Sequence, residues 1–257
     1  PPGDTRFLSG SVNHRGIQVE EIDSAQAERI GASFREAGIA HCGIEGKFSP
    51  RNPQQESRLK SIVESGMRHV SLGHRMSGHL NFPRRIATTY LNEAVWERYR
   101  HFVASVLGFV RARRIDVPIY ILKADGGTFD IEQSVEFPVQ TILSGPAASV
   151  MGILTMTECR EDAVTLDIGG TTTDIAVFAD GVPLLEPFGV TIEGRRTLIR
   201  GLRTKSIGIG GDSVVSLRQG RLSIGPEREG PAAAFGGPFP TPTDALIHLG
   251  RTDIGDR

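Results

Sequence analysis

The sequence predicts an α/β protein in two parts, and three observations carry that expectation. The first half alternates short apolar stretches with amphipathic helical ones. The second half, beyond about residue 157, passes to closely spaced strands joined by short turns. Between two of those strands lies a tip of glycine and threonine with an aspartate at each shoulder, at 167–174. The 257 residues are 39% hydrophobic and 23% charged, a globular composition that excludes a disordered chain.

Each element has its local signal. Asp23 to Gln26 fits a capping box, and Ala27, Ile30, Phe34 and Ala37 then recur at spacings of three and four up to Gly38, a helix stop. Residues 39–45 predict a strand, 53–65 a helix closed by Gly66, and 68–73 a second strand. The longest helix is expected from Pro83 or Arg84 to about Arg114, with Leu91, Val95, Tyr99, Phe102, Val106 and Phe109 as one buried stripe. Val117 to Leu122 predicts another strand. This alternation implies a largely parallel sheet with helices packed on it.

A helix is expected at 145–157, capped by Ser144 with Pro146 in its first turn. Ala163–Ile168, Asp174–Ala179 and Val182–Leu185 predict a meander whose second turn is Asp180-Gly181. Val214–Leu217 and Leu222–Ile224 predict a hairpin turning at Gln219-Gly220, and residues 227–243, rich in Gly, Pro and Ala, a loop. Overall, 1–114 is expected to form a β/α segment with the long helix, and 115–257 the part that carries the chemistry.

Charge and composition narrow the function. Twenty-nine basic against thirty acidic side chains give a net charge of -1, without the basic excess of a general nucleic-acid or membrane-surface binder. No apolar run approaches the ~20 residues that span a bilayer. The start, 1–16, lacks the apolar stretch of a signal peptide. Two cysteines, Cys42 and Cys159, make no disulfide framework, so a reducing, cytoplasmic setting is the simpler expectation. The chain begins without Met and is expected to be a fragment of a longer, two-lobe protein.

The segment Asp167-Ile168-Gly169-Gly170-Thr171-Thr172-Thr173-Asp174 is the most informative. Glycines let backbone approach a ligand closely, and successive N–H groups in such a turn form an anion-binding nest. Thr171, Thr172 and Thr173 add hydroxyl donors. Asp167, at a strand end, suits a Mg²⁺ ion held through water, and Asp174 suits orienting the loop. An ordinary polar turn also uses Gly, Thr and Asp, but does not require three threonines between two aspartates. Gly208, Gly210 and Gly211 form Gly-x-Gly-Gly, a second candidate nucleotide contact. The weaker candidates favour structural roles. His69, His74 and His79 lack zinc spacing, and the run Arg195, Arg196, Arg200, Arg203 and Lys205 suits a solvated basic face. Cys42, Cys159 and Trp96 suit packing. Gly126-Gly127 suits a turn as well as it suits a ligand approach.

The Asp167–Asp174 tip resembles the phosphate loop of the actin, sugar-kinase and Hsp70 ATPase superfamily. An ordered series narrows the likeness. It comprises Arg84, Arg85, Thr88, Thr89 and Asn92; Asp125-Gly126-Gly127; Pro138-Val139 with Ser144-Gly145-Pro146-Ala147-Ala148; the 167–174 loop; Ser206 to Gly211; and Gly225-Pro226 with Pro240 to Ala245. Together these resemble the hydantoinase/oxoprolinase family, in its hydantoinase A-type subunit, over roughly residues 16–253.

The resemblance implies an actin-like (ribonuclease H-like) ATPase lobe over about 115–257, with ATP bound between two related lobes and Mg²⁺ as a companion. Asp167 and Asp174 would be the catalytic carboxylates, and the two glycine loops would hold the cofactor. It implies ATP-dependent hydrolysis of a cyclic amide such as a hydantoin or 5-oxoproline, or carboxylation of a ketone, often with a hydantoinase B-type partner subunit. ATP would activate the amide or carbonyl oxygen by phosphorylating it. Alternatives on the same fold are a kinase-like phosphotransferase and a nucleotide-sensing or assembly subunit. The sequence departs from the family pattern at Ser149 and at Asp212, where the family usually has glycine. It also shows no second Gly-Gly-Thr loop before Ser24.

Overall fold

A computed structural model describes residues 5–254. The ends of the two expected segments, 1–4 and 255–257, lie outside the described residues. The chain divides into two compact units: residues 1–144 with 186–201, and 145–185 with 202–257. The boundary expected at 114/115 therefore falls inside the first unit, because residues 120–144 and 186–201 pack there with the long helix.

After a short antiparallel pair, Ser11–Val12 with Gln18–Glu20, the first unit continues with α1 (Ser24–Glu36), whose N-cap Asp23 accepts the Gln26 N–H at 2.9 Å. The Gln26 side chain instead accepts from the Ser9 amide at 3.1 Å, so only half of the expected box forms. Next come β1 (His41–Ile44), α2 (Gln54–Val63), β2 (His69–Leu72) and α3 (Phe82–Ala112), capped by Asn81. β1 and β2 pair in parallel, and Ile44, Val63, Val70 and Leu72 form a core between strand and helix. A second core joins Leu91 of α3 to Ala124, Val139, Val190 and Ile199.

α3 buries the expected stripe only in part: Leu91 is buried and Val95, Tyr99 and Val106 are half-buried. Phe102 and Phe109 are more than half exposed, whereas Trp96 and Val103 are buried. Only the N-terminal half of α3 lies against β1, β2 and the 138–141 turn, and its buried face is unusually polar. Asn92 donates to the Ser71 hydroxyl at 2.9 Å and accepts from the Val139 amide at 3.1 Å. The Leu198 amide donates to the Thr88 hydroxyl at 2.9 Å. Arg84 donates to the Phe188 and Thr197 carbonyls. The series Arg84 to Asn92 thus ties one helix to four other segments of its own unit.

Arg85 is fully buried. Its guanidinium meets the Glu45 carboxylate at 3.2 Å and the carbonyls of His79, Gly46 and Lys47 at 2.6, 2.7 and 3.1 Å. Nearby, Glu56 accepts the amides of Gly46 and His74 and the His74 ring nitrogen, the last at 2.6 Å. His69 in turn meets Glu93 at 2.7 Å. Two of the three histidines singled out by their spacing, His69 and His74, are thus engaged by different carboxylates.

The expectation of a largely parallel sheet is corrected. Among the described residues β1–β2 is the only parallel pair. Parallel pairing needs a long crossover, whereas beyond α3 the strands within 120–130, 163–183 and 215–224 turn straight back on one another as antiparallel hairpins. β3 (Tyr120–Leu122) and β4 (Thr128–Asp130) are antiparallel around Asp125-Gly126, with Gly126 left-handed. The strand expected from Val117 starts late because Pro118 has no N–H to donate.

The second unit runs from α4 (Ser144–Met156) into β5 (Ala163–Ile168) and β6 (Thr173–Ala179). The Asp180-Gly181 turn, with both residues left-handed, leads to a short antiparallel return at Val182–Pro183. β7 (Thr204–Ile207) pairs antiparallel with β6 on its other side. β8 (Val215–Arg218) and β9 (Arg221–Ile224) form the expected hairpin, again with a left-handed Gln219-Gly220 turn. α5 (Pro242–His248) begins inside the stretch expected as loop. Thr241 caps it in a full capping box with Asp244, with proline in the first turn. Burial pushes the Asp244 carboxyl up, but the amides of Ala234, Ala233 and Thr241 outweigh it and hold that carboxyl below its usual value.

Glu45 makes the first unit pH-sensitive. Burial pushes its carboxyl up to about 7 from the usual 4.5, with the neighbouring Glu56 adding to the rise and Thr89 and Arg85 opposing it. Between pH 4.5 and 7 the folded chain holds a proton there that the unfolded chain has lost, so stability falls as pH rises through that window. Urea denaturation at pH 5, 6, 7 and 8 should show the unaltered chain losing up to about 3 kcal/mol relative to Glu45→Gln. A constant difference between the two across this range would contradict the buried, protonated carboxyl.

Candidate functional site

The 167–174 segment is the tip of the β5–β6 hairpin. Asp167 faces Asp174 and Ile168 faces Thr173 across the ladder, leaving Gly169–Thr172 as the turn, closed by the Gly169 amide on the Thr172 carbonyl at 2.9 Å. All four turn residues are exposed. The next support comes from the loop after β7. The Gly211 amide donates to the Gly169 carbonyl and the Asp212 amide to the Gly170 carbonyl, both at 2.8 Å.

These two bonds fix which way the tip presents its donors. In a trans peptide the C=O and the following N–H point in opposite directions. Since the Gly169 and Gly170 carbonyls face the 208–213 loop, the N–H groups of Gly170 and Thr171 face away from it. Among the described residues no hydrogen bond takes up those two amides or the Thr171 and Thr172 hydroxyls. Two successive exposed amides with hydroxyls alongside are an arrangement that receives an anion.

The second glycine loop supports the first. Gly210 is buried, and its amide donates to the Ser213 hydroxyl at 2.9 Å. A Cβ at Gly210 would stand 2.6 Å from the carbonyl oxygens of both Gly169 and Gly170, so only glycine permits this approach. Gly211 is braced in turn, because its carbonyl accepts the Thr243 amide at 3.0 Å and the Thr243 hydroxyl at 2.9 Å from the first turn of α5. The amides of Gly210 and Gly211 are therefore engaged within the protein, while Gly208 is exposed. Thr173 is buried and donates its hydroxyl to the Ile209 carbonyl at 2.6 Å, unlike Thr171 and Thr172.

Asp167 and Asp174 sit side by side on the face of the hairpin that meets α4. With Thr165, Ala176, Thr204, Pro146, Ser149 and Val150 they line a narrow cleft. Like charges directly opposite on a ladder repel. A divalent cation relieves that repulsion, and Mg²⁺ characteristically uses one or two carboxylates, phosphate oxygens and water. Among the described residues no three or more His, Cys, Asp and Glu side chains gather in a metal-binding arrangement, so any Mg²⁺ here would complete its shell from nucleotide and water.

The family model for hydantoinase/oxoprolinase matches residues 85–255, more than half of the sequence. The chain belongs to the hydantoinase/oxoprolinase family. It is 30% identical over 259 residues to a 5-oxoprolinase of Saccharomyces cerevisiae, covering 95% of this chain and 19% of that protein. It is 25% identical over 255 residues to the acetophenone carboxylase gamma subunit of Aromatoleum aromaticum, covering 93% and 35%. The chain thus spans about a fifth to a third of the length of these relatives.

Among solved structures it is similar to nucleotide-free acetone carboxylase, with a TM-score of 0.78 and 21% identity over 96% of this chain and 36% of that one. It is also similar to the ATP-dependent caprolactamase of Pseudomonas jessenii, with a TM-score of 0.74, 23% identity, and coverage of 96% and 37%. These likenesses show that the expected α/β fold is shared with part of two larger enzymes. Among the described residues no helix is long and apolar enough to cross a membrane.

Ser149 and Asp212 both touch the hairpin. The Ser149 hydroxyl, on α4, donates a short hydrogen bond to Asp167. The Asp212 carboxylate lies over Gly170, 2.9 Å from where a Cβ would project, and accepts the Arg228 guanidinium at 3.0 Å. Ser213, Thr243 and Arg228 had no individual signal in the sequence. Ser213 merely follows the second glycine loop, Thr243 lay within a longer series, and Arg228 stands in a Gly/Pro-rich loop. The Arg195–Lys205 run divides, with Arg195 over the Tyr90 ring and Arg200 3.9 Å from Asp125 in the first unit.

The contact between the two glycine loops is testable. Gly210→Ala should cost about 1–3 kcal/mol in urea denaturation, the usual penalty for overpacking a closed site. Unchanged stability would mean that the loops do not touch in solution.

Proposed function

We propose that the protein carrying this chain is an ATP-dependent hydrolase, or a carboxylase subunit, acting on a cyclic amide or related carbonyl compound. The observation that carries the reading is the outward pair of amides at Gly170 and Thr171, set beside two ladder-opposed carboxylates. The relatives supply its context, since a 5-oxoprolinase and an ATP-dependent caprolactamase both act on cyclic amides by name. Bound ATP would supply a phosphoryl group that makes a carbonyl oxygen a good leaving group.

The chain's own residues hold and orient. The Gly170 and Thr171 amides and the Thr171 and Thr172 hydroxyls receive phosphate oxygens. Asp167 takes the Mg²⁺ hydration shell, and Ser149 fixes its carboxylate through Oδ2. Asp174 completes the acidic pair, and Thr173 locks the hairpin onto Ile209. Gly210 and Gly211 serve the nucleotide by bracing this tip, and Gly208 lies at the exposed entry to their loop. Positioning and electrostatic stabilisation of this kind form the usual protein contribution to phosphoryl transfer. The substrate pocket, a hydantoinase B-type partner and a cytoplasmic setting belong to the same proposal.

Calorimetry with Mg-ATP tests it. The unaltered chain should bind, Asp167→Ala should bind at least about tenfold more weakly through loss of a charge-assisted contact, and EDTA should weaken the unaltered chain toward the variant. ATP turnover stimulated by hydantoin or 5-oxoproline in the full-length protein would support the amide substrate. No Mg-ATP binding by the unaltered chain would refute the nucleotide reading.

A further inference from the structure

The ion pair Asp212–Arg228 poses a physical question. A carboxylate beside an anion-receiving tip opposes the anion, yet the Asp212 main chain is bonded to that tip and its side chain lies over Gly170. The Arg228 guanidinium answers the charge at 3.0 Å. Stability alone explains the pair poorly. The two side chains are 26% and 49% exposed, and ion pairs so open to water contribute about 0–1 kcal/mol.

We propose that Arg228 is a phosphate-binding residue of the nucleotide site, parked beside the tip by Asp212. The assignment rests on the nucleotide reading above and names a ligand within it. Arg228 spends one guanidinium nitrogen on Asp212, and among the described residues its other donors have no partner. A guanidinium matches phosphate through two parallel N–H bonds, which a lysine ammonium cannot reproduce. Because its bond to Asp212 is weak and exposed, Arg228 can turn toward a phosphate at little cost. Asp212 then prevents an uncompensated positive charge at the tip when no nucleotide is there. Asp212 and the arginine sixteen residues later thereby act as one device.

The alternative is a tie that merely holds the 225–231 loop against the 208–213 loop, and the two roles separate cleanly. Mg-ATP binding should be measured by calorimetry on the unaltered chain, Arg228→Ala, Arg228→Lys and Asp212→Asn, with thermal unfolding of each. If Arg228 takes phosphate, Arg228→Ala weakens binding about tenfold or more, the loss of one charge-assisted contact. Arg228→Lys then recovers only part of that loss, and Asp212→Asn binds as tightly as the unaltered chain or more tightly. All four should unfold at closely similar temperatures.

Binding by Arg228→Ala within twofold of the unaltered chain would overturn the proposal while leaving the nucleotide reading intact. So would equal losses in Arg228→Ala and Asp212→Asn, since a structural tie fails from either end. An unaltered chain that binds no Mg-ATP would overturn both proposals.

Discussion

Two backbone hydrogen bonds organise the candidate site. The amides of Gly211 and Asp212 draw the carbonyls of Gly169 and Gly170 toward their own loop. The rigid peptide plane then turns the next two N–H groups the opposite way. No side chain is needed to aim these donors. Everything around the tip serves this contact. Glycine at 210 allows it, Ser213 caps the loop that makes it, and Thr243 braces that loop from the capped start of α5. A motif that looks like two separate glycine-rich loops in the sequence is one structure, with one loop presenting donors and the other holding it in place.

The first unit follows a different physical logic. Its long helix is anchored less by an apolar stripe than by buried polar side chains, each engaged by a different segment. Arg85 spends its donors on Glu45 and three carbonyls, and Asn92 joins β2 to the 138–141 turn. Such networks tolerate no missing member, because a buried charge left alone costs far more than the intact pair contributes. That requirement accounts for the ordered run from Arg84 to Asn92 without giving those residues any role in chemistry. Glu45 shows the accompanying strain, a carboxyl held near neutrality by its burial.

Much of the fold was legible where local chemistry decides it. The turns at Asp180-Gly181 and Gln219-Gly220 need left-handed residues and have them, and the cap at Asp23 and the hairpin around 169–172 were equally readable. What failed depended on partners distant in sequence. β7, a Thr-Lys-Ser-Ile segment, has no strand-like alternation and becomes a strand because β6 offers it an edge. Phe102 and Phe109 lie on the predicted stripe, but α3 outruns the elements that cover its first half. The acidic and threonine-rich tip was legible as a phosphate candidate. That Thr173 and the amides of Gly210 and Gly211 turn inward was not, since it follows from the docking of loops some forty residues apart.

The most direct measurement is residue-resolved amide hydrogen exchange at the hairpin tip, with and without Mg-ATP. The Gly170 and Thr171 amides should exchange rapidly in the free protein and become strongly protected when nucleotide binds, while Gly211 and Asp212, already bonded, change little. Saturating Mg-ATP that leaves Gly170 and Thr171 unprotected would show that the nucleotide binds elsewhere, and would contradict the account at its centre.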